Sequence, residues 1–206
     1  MAKILSIDSG AIWAAAGLIR SGGLVVYPSE TFYALGADAT NQGAVSRIFQ
    51  AKKRSPDKPV SVIVADREML MRLVDEVPAR AQRLMDRFWP GPLTIILRAK
   101  KGLPDILTAG TGSIGVRISP HPAASSLSSL SACPLTATSA NISGEREPVT
   151  PDEVRTSLGE VVDLILDGGK LAGEAPSTMV DMTGETPKIL REGAIRAELI
   201  LLDLEE

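Results

Sequence analysis

The sequence predicts an α/β fold: one domain built on a twisted, mixed, largely open sheet flanked by helices. Three observations carry this. Short β-branched runs alternate with helix-period patterns, which is the signature of strands interleaved with helices. Breakers fall between them, most clearly at Trp89-Pro90-Gly91-Pro92, where a helical pattern ends and a strand-like run begins. Across the 206 residues there is no internal repeat, low-complexity tract or shift in composition, so residues 1–206 read as a single domain.

The elements follow in order. Residues 9–20 read as a helix and 24–27 as a strand. In 41–53 the apolar residues Ala44, Val45, Ile48 and Phe49 form one helical stripe. A strand at 60–65 precedes helices at 67–73 and 79–88. Strands at 93–97 and 114–118 precede a helix at 122–130, and 135–138 reads as the next strand. The helix at 151–158 opens on Pro151 followed by Asp152 and Glu153, a first-turn proline with acids that suit the positive end of the helix dipole. Strands at 161–166 and 178–181 complete the series.

Composition bounds the chemistry. Apolar residues make up 44% of the chain but aromatics only 3%, so the core is aliphatic. The N-terminal stretch meets Asp8 too early to read as a signal peptide, and no apolar run has the length needed to cross a bilayer. The expectation is a cytoplasmic protein with no membrane association. With one cysteine, Cys133, and one histidine, His121, there is no internal disulfide and no His/Cys zinc cluster. Cys133 precedes a strand and reads as a small buried thiol, and His121 as a strand-end turn residue. Gly110-Thr111-Gly112-Ser113-Ile114-Gly115 matches a dinucleotide-binding pattern, but a strand follows it where a helix is required.

The formal net charge is −3, yet from Arg47 to Lys58 there are five cations (Arg47, Lys52, Lys53, Arg54, Lys58) and one anion. Such clustering against the global balance points to a polyanionic ligand. Lys52 continues the apolar stripe, four residues after Ile48, and a lysine on a buried helix face calls for a counter-charge. A helix end enriched in cations to complement the dipole is the plainer alternative; it explains Lys53 better than Lys52. Other polar residues stand where apolar strands run out: Ser29, Glu30 and Thr31; Arg117; Ser139 and Asn141; Ser177; and Arg191. Each alone could be a turn, a cap or a solvated charge. Together with the basic tract they describe a concave basic cleft suited to a nucleotide phosphate and a small zwitterion.

Several segments in order resemble the YrdC-type threonylcarbamoyl-AMP synthase family, in its short single-domain form. They are residues 29–36 (Ser-Glu-Thr-Phe-Tyr-Ala-Leu-Gly), Ala51-Lys52-Lys53-Arg54, Trp89-Pro90-Gly91-Pro92-Leu93-Thr94, Val116-Arg117, Thr138-Ser139-Ala140-Asn141, and the closing stretches 176–181 and 189–195. The family's K-x-R and S-x-N signatures stand here as Lys52-x-Arg54 and Ser139-x-Asn141.

The resemblance implies a nucleotidyltransferase that converts L-threonine, bicarbonate and ATP, with Mg²⁺ carried on the phosphates, into threonylcarbamoyl-AMP, pyrophosphate and water. The product serves the threonylcarbamoyladenosine modification of tRNA. It further implies that Lys52 and Arg54 are catalytic, and that Lys52, Arg54, Lys58, Ser113, Ser139, Asn141 and Arg191 surround ATP. Thr31, Arg117 and Ser177 would hold threonine. Two positions depart from relatives: Ile63, where some have histidine, and Glu147, where others have a small polar residue. Contact with tRNA or double-stranded RNA, or with downstream threonylcarbamoyl-transfer proteins, is a further expectation. An RNA-binding or ribosome-maturation module, and a nucleotide-binding paralogue with another acceptor, are the competing readings. A pI near 5.4 and few aromatics suit RNA binding poorly.

Overall fold

The computed structural model describes residues 1–173 and 175–205. Eleven strands and eight helices are seen among them: β1 Lys3–Ser6, α1 Ser9–Arg20, β2 Val25–Pro28, β3 Tyr33–Gly36, α2 Gln42–Lys52, β4 Val62–Ile63, α3 Arg67–Leu70, α4 Ala79–Phe88, β5 Leu93–Arg98, α5 Asp105–Thr108, β6 Ser113–Arg117, α6 Pro122–Ser131, β7 Leu135–Thr136, β8 Thr138–Ser139, α7 Pro151–Leu158, β9 Leu164–Asp167, β10 Thr178–Asp181, β11 Lys188–Arg191 and α8 Ala197–Glu205.

The mixed, open α/β architecture is as expected, but the strands divide between two sheets. The first runs β1-β9-β2-β3-β8 and the second β11-β10-β5-β6-β4-β7. Each mixes parallel and antiparallel pairs: β9 lies parallel to β1 and β2, whereas β3 is antiparallel to both β2 and β8. The expected strand at 135–138 is where the division happens. Leu135–Thr136 pairs with β4 in the second sheet, and Thr138–Ser139 pairs with β3 in the first. Ala137 between them hands the chain across, its N–H donating to the Ser61 carbonyl at 2.7 Å.

Both faces of the first sheet are buried, and its side chains alternate between two cores. Val25, Tyr27, Leu164 and Leu166 pack under α1 and α6, while Val26, Leu35 and Ile165 pack under α2 and α7. Helix α2 wedges between the sheets. Its Ala44, Ile48 and Ala51 join the first-sheet core, and its Val45 and Phe49 join the core beneath β5 and β6. This brings the C-terminal end of α2, with the basic tract, to the gap between the sheets.

Helices α1, α4 and α7 have the expected boundaries. In α7 the proline start is reinforced by a capping box between Thr150 and Glu153, the reciprocal bonding that satisfies two orphan donors. Strands β1, β3 and β11 and helices α5 and α8 are additional to the sequence reading. β1 and β11 are edge strands with exposed or half-buried residues, and β3 is broken up in sequence by glycine and alanine, so none shows a strong strand period.

Candidate active site

A cavity of about 270 Å³ opens between the two sheets. One wall comes from the β2–β3 turn, β3 and β8, with Ser29, Thr31 and Ser139; the other from the segment leading into β4, from β5 and β6, and from the β10–β11 hairpin and its approach, with Thr94, Arg117, Ser177 and Arg191. Arg54, from the turn after α2, enters between them. Six of the ten residues that the resemblance assigns to ATP or threonine therefore meet at one place: Thr31, Arg54, Arg117, Ser139, Ser177 and Arg191.

Each is held by local structure. Arg54 is half-buried; its Nε donates to the Lys58 carbonyl at 3.0 Å and its Nη2 to the Pro59 carbonyl at 2.8 Å, and its guanidinium lies over the Phe49 ring. Arg191 reaches back to Ser177, with Nε and Nη2 donating to its carbonyl at 3.1 and 2.7 Å. The Ser177 hydroxyl also pairs with that of Thr94 at 2.8 Å. Arg117 is 7% exposed and ion-paired with Glu30. Partial burial lowers the pKa of the half-buried Arg54, so an entering anion would relieve a partly desolvated charge there; Arg191, at the exposed end of β11, is shifted the same way.

The other four of those ten do not line this cavity: Lys52, Lys58, Ser113 and Asn141. Lys52 is buried, 1% exposed, as its place on the stripe demands, but it has found neutral oxygens where a counter-charge was expected. Its ammonium donates to the carbonyls of Ser139 and Asn141, the latter at 2.7 Å, and to Asn141 Oδ1 at 3.1 Å. Three donors thus meet three acceptors, which satisfies the ammonium without an acid. Burial foremost, with Arg54 nearby, brings its pKa down to about 7, while Glu147 acts in the opposite sense.

The Asn141 side chain is saturated as well. Its Oδ1 accepts from Lys52 and from the Ser139 hydroxyl at 2.6 Å, and its Nδ2 donates to the carbonyls of Glu145 at 2.7 Å and Arg146 at 3.2 Å. Lysine and asparagine are here the mortar of the turn that presents Ser139. Lys58 is exposed, and Ser113 lies at the far end of β6 from Arg117, its hydroxyl paired with Thr111 at 2.8 Å. The basic tract is therefore dispersed: Arg47 pairs with Asp163, Lys52 is internal, Lys53 and Lys58 face solvent, and Arg54 alone of the five lines the cavity.

Several wall residues escaped the sequence reading as ligand candidates. Ser61, just before β4, and Thr94, in β5, stand within apolar runs of sequence, where a single hydroxyl carries no positional signal. Glu147, noted only as a departure, is a carboxylate on the wall among three arginines. Ile63 is buried in β4, in register with Arg117. His121 caps α6, its Nδ1 accepting from Ala123 N–H at 3.2 Å, and burial lowers its pKa. The Cys133 thiol is pushed up to about 11 by burial, which keeps it protonated and inert. Among the described residues no helix is long and apolar enough to cross a membrane.

The scaffold is a mixed α/β domain with two sheets and an arginine-lined gap between them, and comparison with known proteins places it. Residues 17–193 match the Sua5/YciO/YrdC family, described as "telomere recombination". This chain belongs to that family. It is 41% identical over 194 residues to the threonylcarbamoyl-AMP synthase of Pyrococcus abyssi and 40% identical over 200 residues to that of Bacillus subtilis. These alignments take in 94% and 95% of this chain but 57% of each relative. The structure of P. abyssi Sua5 complexed with L-threonine superposes with a TM-score of 0.93 at 38% identity, over 98% of this chain and 60% of that one. E. coli YciO superposes with a TM-score of 0.86 at 30% identity, over 96% of this chain and 98% of that one.

Proposed function

We propose that this chain is an L-threonylcarbamoyladenylate synthase, joining L-threonine, bicarbonate and ATP into threonylcarbamoyl-AMP with release of pyrophosphate and water. The observation that carries the reading is the convergence of Arg54, Arg117 and Arg191 with the hydroxyls of Thr31, Ser139 and Ser177 on one cavity. A 38%-identical relative of the same fold is known in complex with L-threonine, and the named relatives make this product.

The geometry suits the chemistry. The threonine nitrogen bonds to the carbonate carbon with loss of water, and a carbamate oxygen then attacks the α-phosphorus as its bond to pyrophosphate breaks. Carbamate, carboxylate and triphosphate are all anions, so bringing them together requires fixed cations. Arg117 would take the threonine carboxylate, with the hydroxyls of Thr31 and Ser177 beside it. Arg54 and Arg191 would face the phosphates, and Ser139, on the turn braced by Lys52 and Asn141, the nucleotide. Among the described residues no histidine or cysteine lines the cavity to make or activate a covalent nucleophile, so positioning and charge stabilisation would carry the rate.

Mg²⁺ enters with ATP. Among the described residues no cluster of three His, Cys, Asp or Glu side chains is placed to hold a metal, and Glu147 is the wall carboxylate that could face the phosphate-borne ion. The RNA-binding alternative loses its motive, because the basic tract does not form one exposed face.

The test is pyrophosphate release from ATP. It should require both threonine and bicarbonate, and 2-aminobutyrate, which lacks the hydroxyl, should be a clearly poorer substrate. Release indifferent to amino acid and bicarbonate would overturn the reading.

A further inference from the structure

We propose that Glu30 is a positioning residue for substrate threonine, acting through Arg117 as a tie between the two walls of the cavity. The inference rests on the synthase reading above and adds to it the residue that aims the carboxylate clamp. Glu30 sits in the turn between β2 and β3, in the first sheet, whereas Arg117 ends β6 in the second. Its neighbour Thr31 faces the cavity; Glu30 does not line it. Its carboxylate turns behind Arg117 instead. One oxygen accepts from Arg117 Nη1, and the other accepts from the Ser119 hydroxyl at 2.6 Å. Ser119 is itself fixed, since its hydroxyl oxygen accepts from the His121 N–H at 3.2 Å.

The turn that carries Glu30 is equally constrained. The Ser29 hydroxyl donates to the Phe32 carbonyl at 2.7 Å and accepts from the Thr31 N–H at 3.3 Å. Both oxygens of Glu30 are thus engaged by groups 87 and 89 residues away, across the gap.

Two physical consequences follow. An arginine only 7% exposed carries a charge it cannot share with water, and Glu30 supplies the counter-charge that lets it stay there in the free protein. A guanidinium has five donors in one plane, so anchoring Nη1 from behind fixes that plane and leaves the remaining donors aimed into the cavity. Removing Glu30 has two opposed effects on a carboxylate ligand: the site becomes more positive, and the fork loses its fixed direction. The anchored geometry dominates, because a clamp free to rotate must be ordered by the ligand at each binding event.

The experiment is steady-state pyrophosphate release by the wild type, Glu30→Gln, Arg117→Lys and the double variant, with Ser119→Ala as a milder perturbation of the same carboxylate. In Glu30→Gln the apparent KM for threonine should rise on the order of tenfold, with kcat at saturating threonine and the KM for ATP within about twofold. Ser119→Ala should show the same split at smaller amplitude. In the Arg117→Lys background, Glu30→Gln should add nothing further to the threonine KM, because its effect passes through the guanidinium. A threonine KM unchanged or lowered in Glu30→Gln overturns the inference, as do multiplying effects in the double variant. If Glu30→Gln does not fold, Ser119→Ala decides by the same criterion. A wild type inactive with threonine overturns the synthase reading and this inference with it, whereas an active wild type with an indifferent Glu30→Gln overturns the inference alone.

Discussion

The ammonium of Lys52 donates to the main-chain carbonyl of Asn141 at 2.7 Å, although 89 residues separate the two. A basic helix end in α2 and the turn that follows β8 are fastened to each other by a charge with no acid partner. The cavity wall at Ser139 is therefore set by α2.

Lys52→Met should loosen that wall. Each carbonyl left unpaired costs roughly 1–3 kcal/mol, partly offset because an ammonium is no longer desolvated. A net stability loss of about 2 kcal/mol is expected by urea denaturation, together with weaker ATP binding by titration calorimetry. Unchanged ATP affinity would mean that Ser139 holds its place without the clamp.

The same residue predicts a pH dependence. Burial brings Lys52 from its ordinary 10.5 down to about 7. Between those values the unfolded chain keeps a proton that the folded chain has released, so stability should rise with pH across that window, by at most about 1.4 kcal/mol per unit from this group. The gain is lost as pH falls through about 7. Denaturation midpoints at pH 7 and pH 9 should differ in the wild type by more than in Lys52→Met.

Arg54→Ala and Lys53→Gly should part company. Arg54 lines the cavity, and losing a charged hydrogen bond to phosphate typically costs on the order of 2–5 kcal/mol. Lys53 is exposed and sits at the left-handed C-cap of α2 with φ 49°, a conformation that glycine adopts without strain. Lys53→Gly should leave ATP use intact and raise stability by about 0.5–1 kcal/mol. Equal losses in ATP use would show the tract acting as a diffuse charge.

Arg117→Lys should not be conservative. A lysine supplies charge without the fork and cannot hold Glu30 behind while gripping a carboxylate in front. The variant should bind ATP nearly normally and show a large rise in the threonine KM. A collapse of ATP binding with threonine affinity preserved would move Arg117 to the nucleotide half of the cavity.

Gly193→Ala tests the hairpin that presents Ser177. A Cβ there would lie 2.0 Å from the Pro176 carbonyl oxygen and 2.8 Å from the Ser177 carbonyl carbon, so the segment must move. A shift of this kind should destabilise the fold by about 2 kcal/mol or more and raise the threonine KM, read by thermal melts and the pyrophosphate assay. A variant with wild-type melting and KM would show that the Ser177 loop yields freely.

Much of this protein is local and was legible in the chain. The stripe Ala44, Val45, Ile48, Phe49 set both α2 and the burial of Lys52, because helical period alone decides which residues share a face. Pro151 and its acids set the start of α7, and the β-branched runs set β2, β5 and β10. The order of motifs from Ser29 to Arg191 marked six residues that do meet in the cavity.

What the chain could not disclose is long-range. Whether 135–138 is one strand or two depends on which partners β4 and β3 offer, and two sheets diverge at Ala137 for reasons of pairing that no local pattern encodes. A buried lysine was readable, but its three oxygen partners were not, since they lie on a turn 87 to 89 residues on. The same holds for Glu30, an ordinary turn acid in sequence that packing delivers to Arg117. Periodicity and propensity fix which face is buried; only the closure of two sheets against each other decides which polar groups meet across the gap.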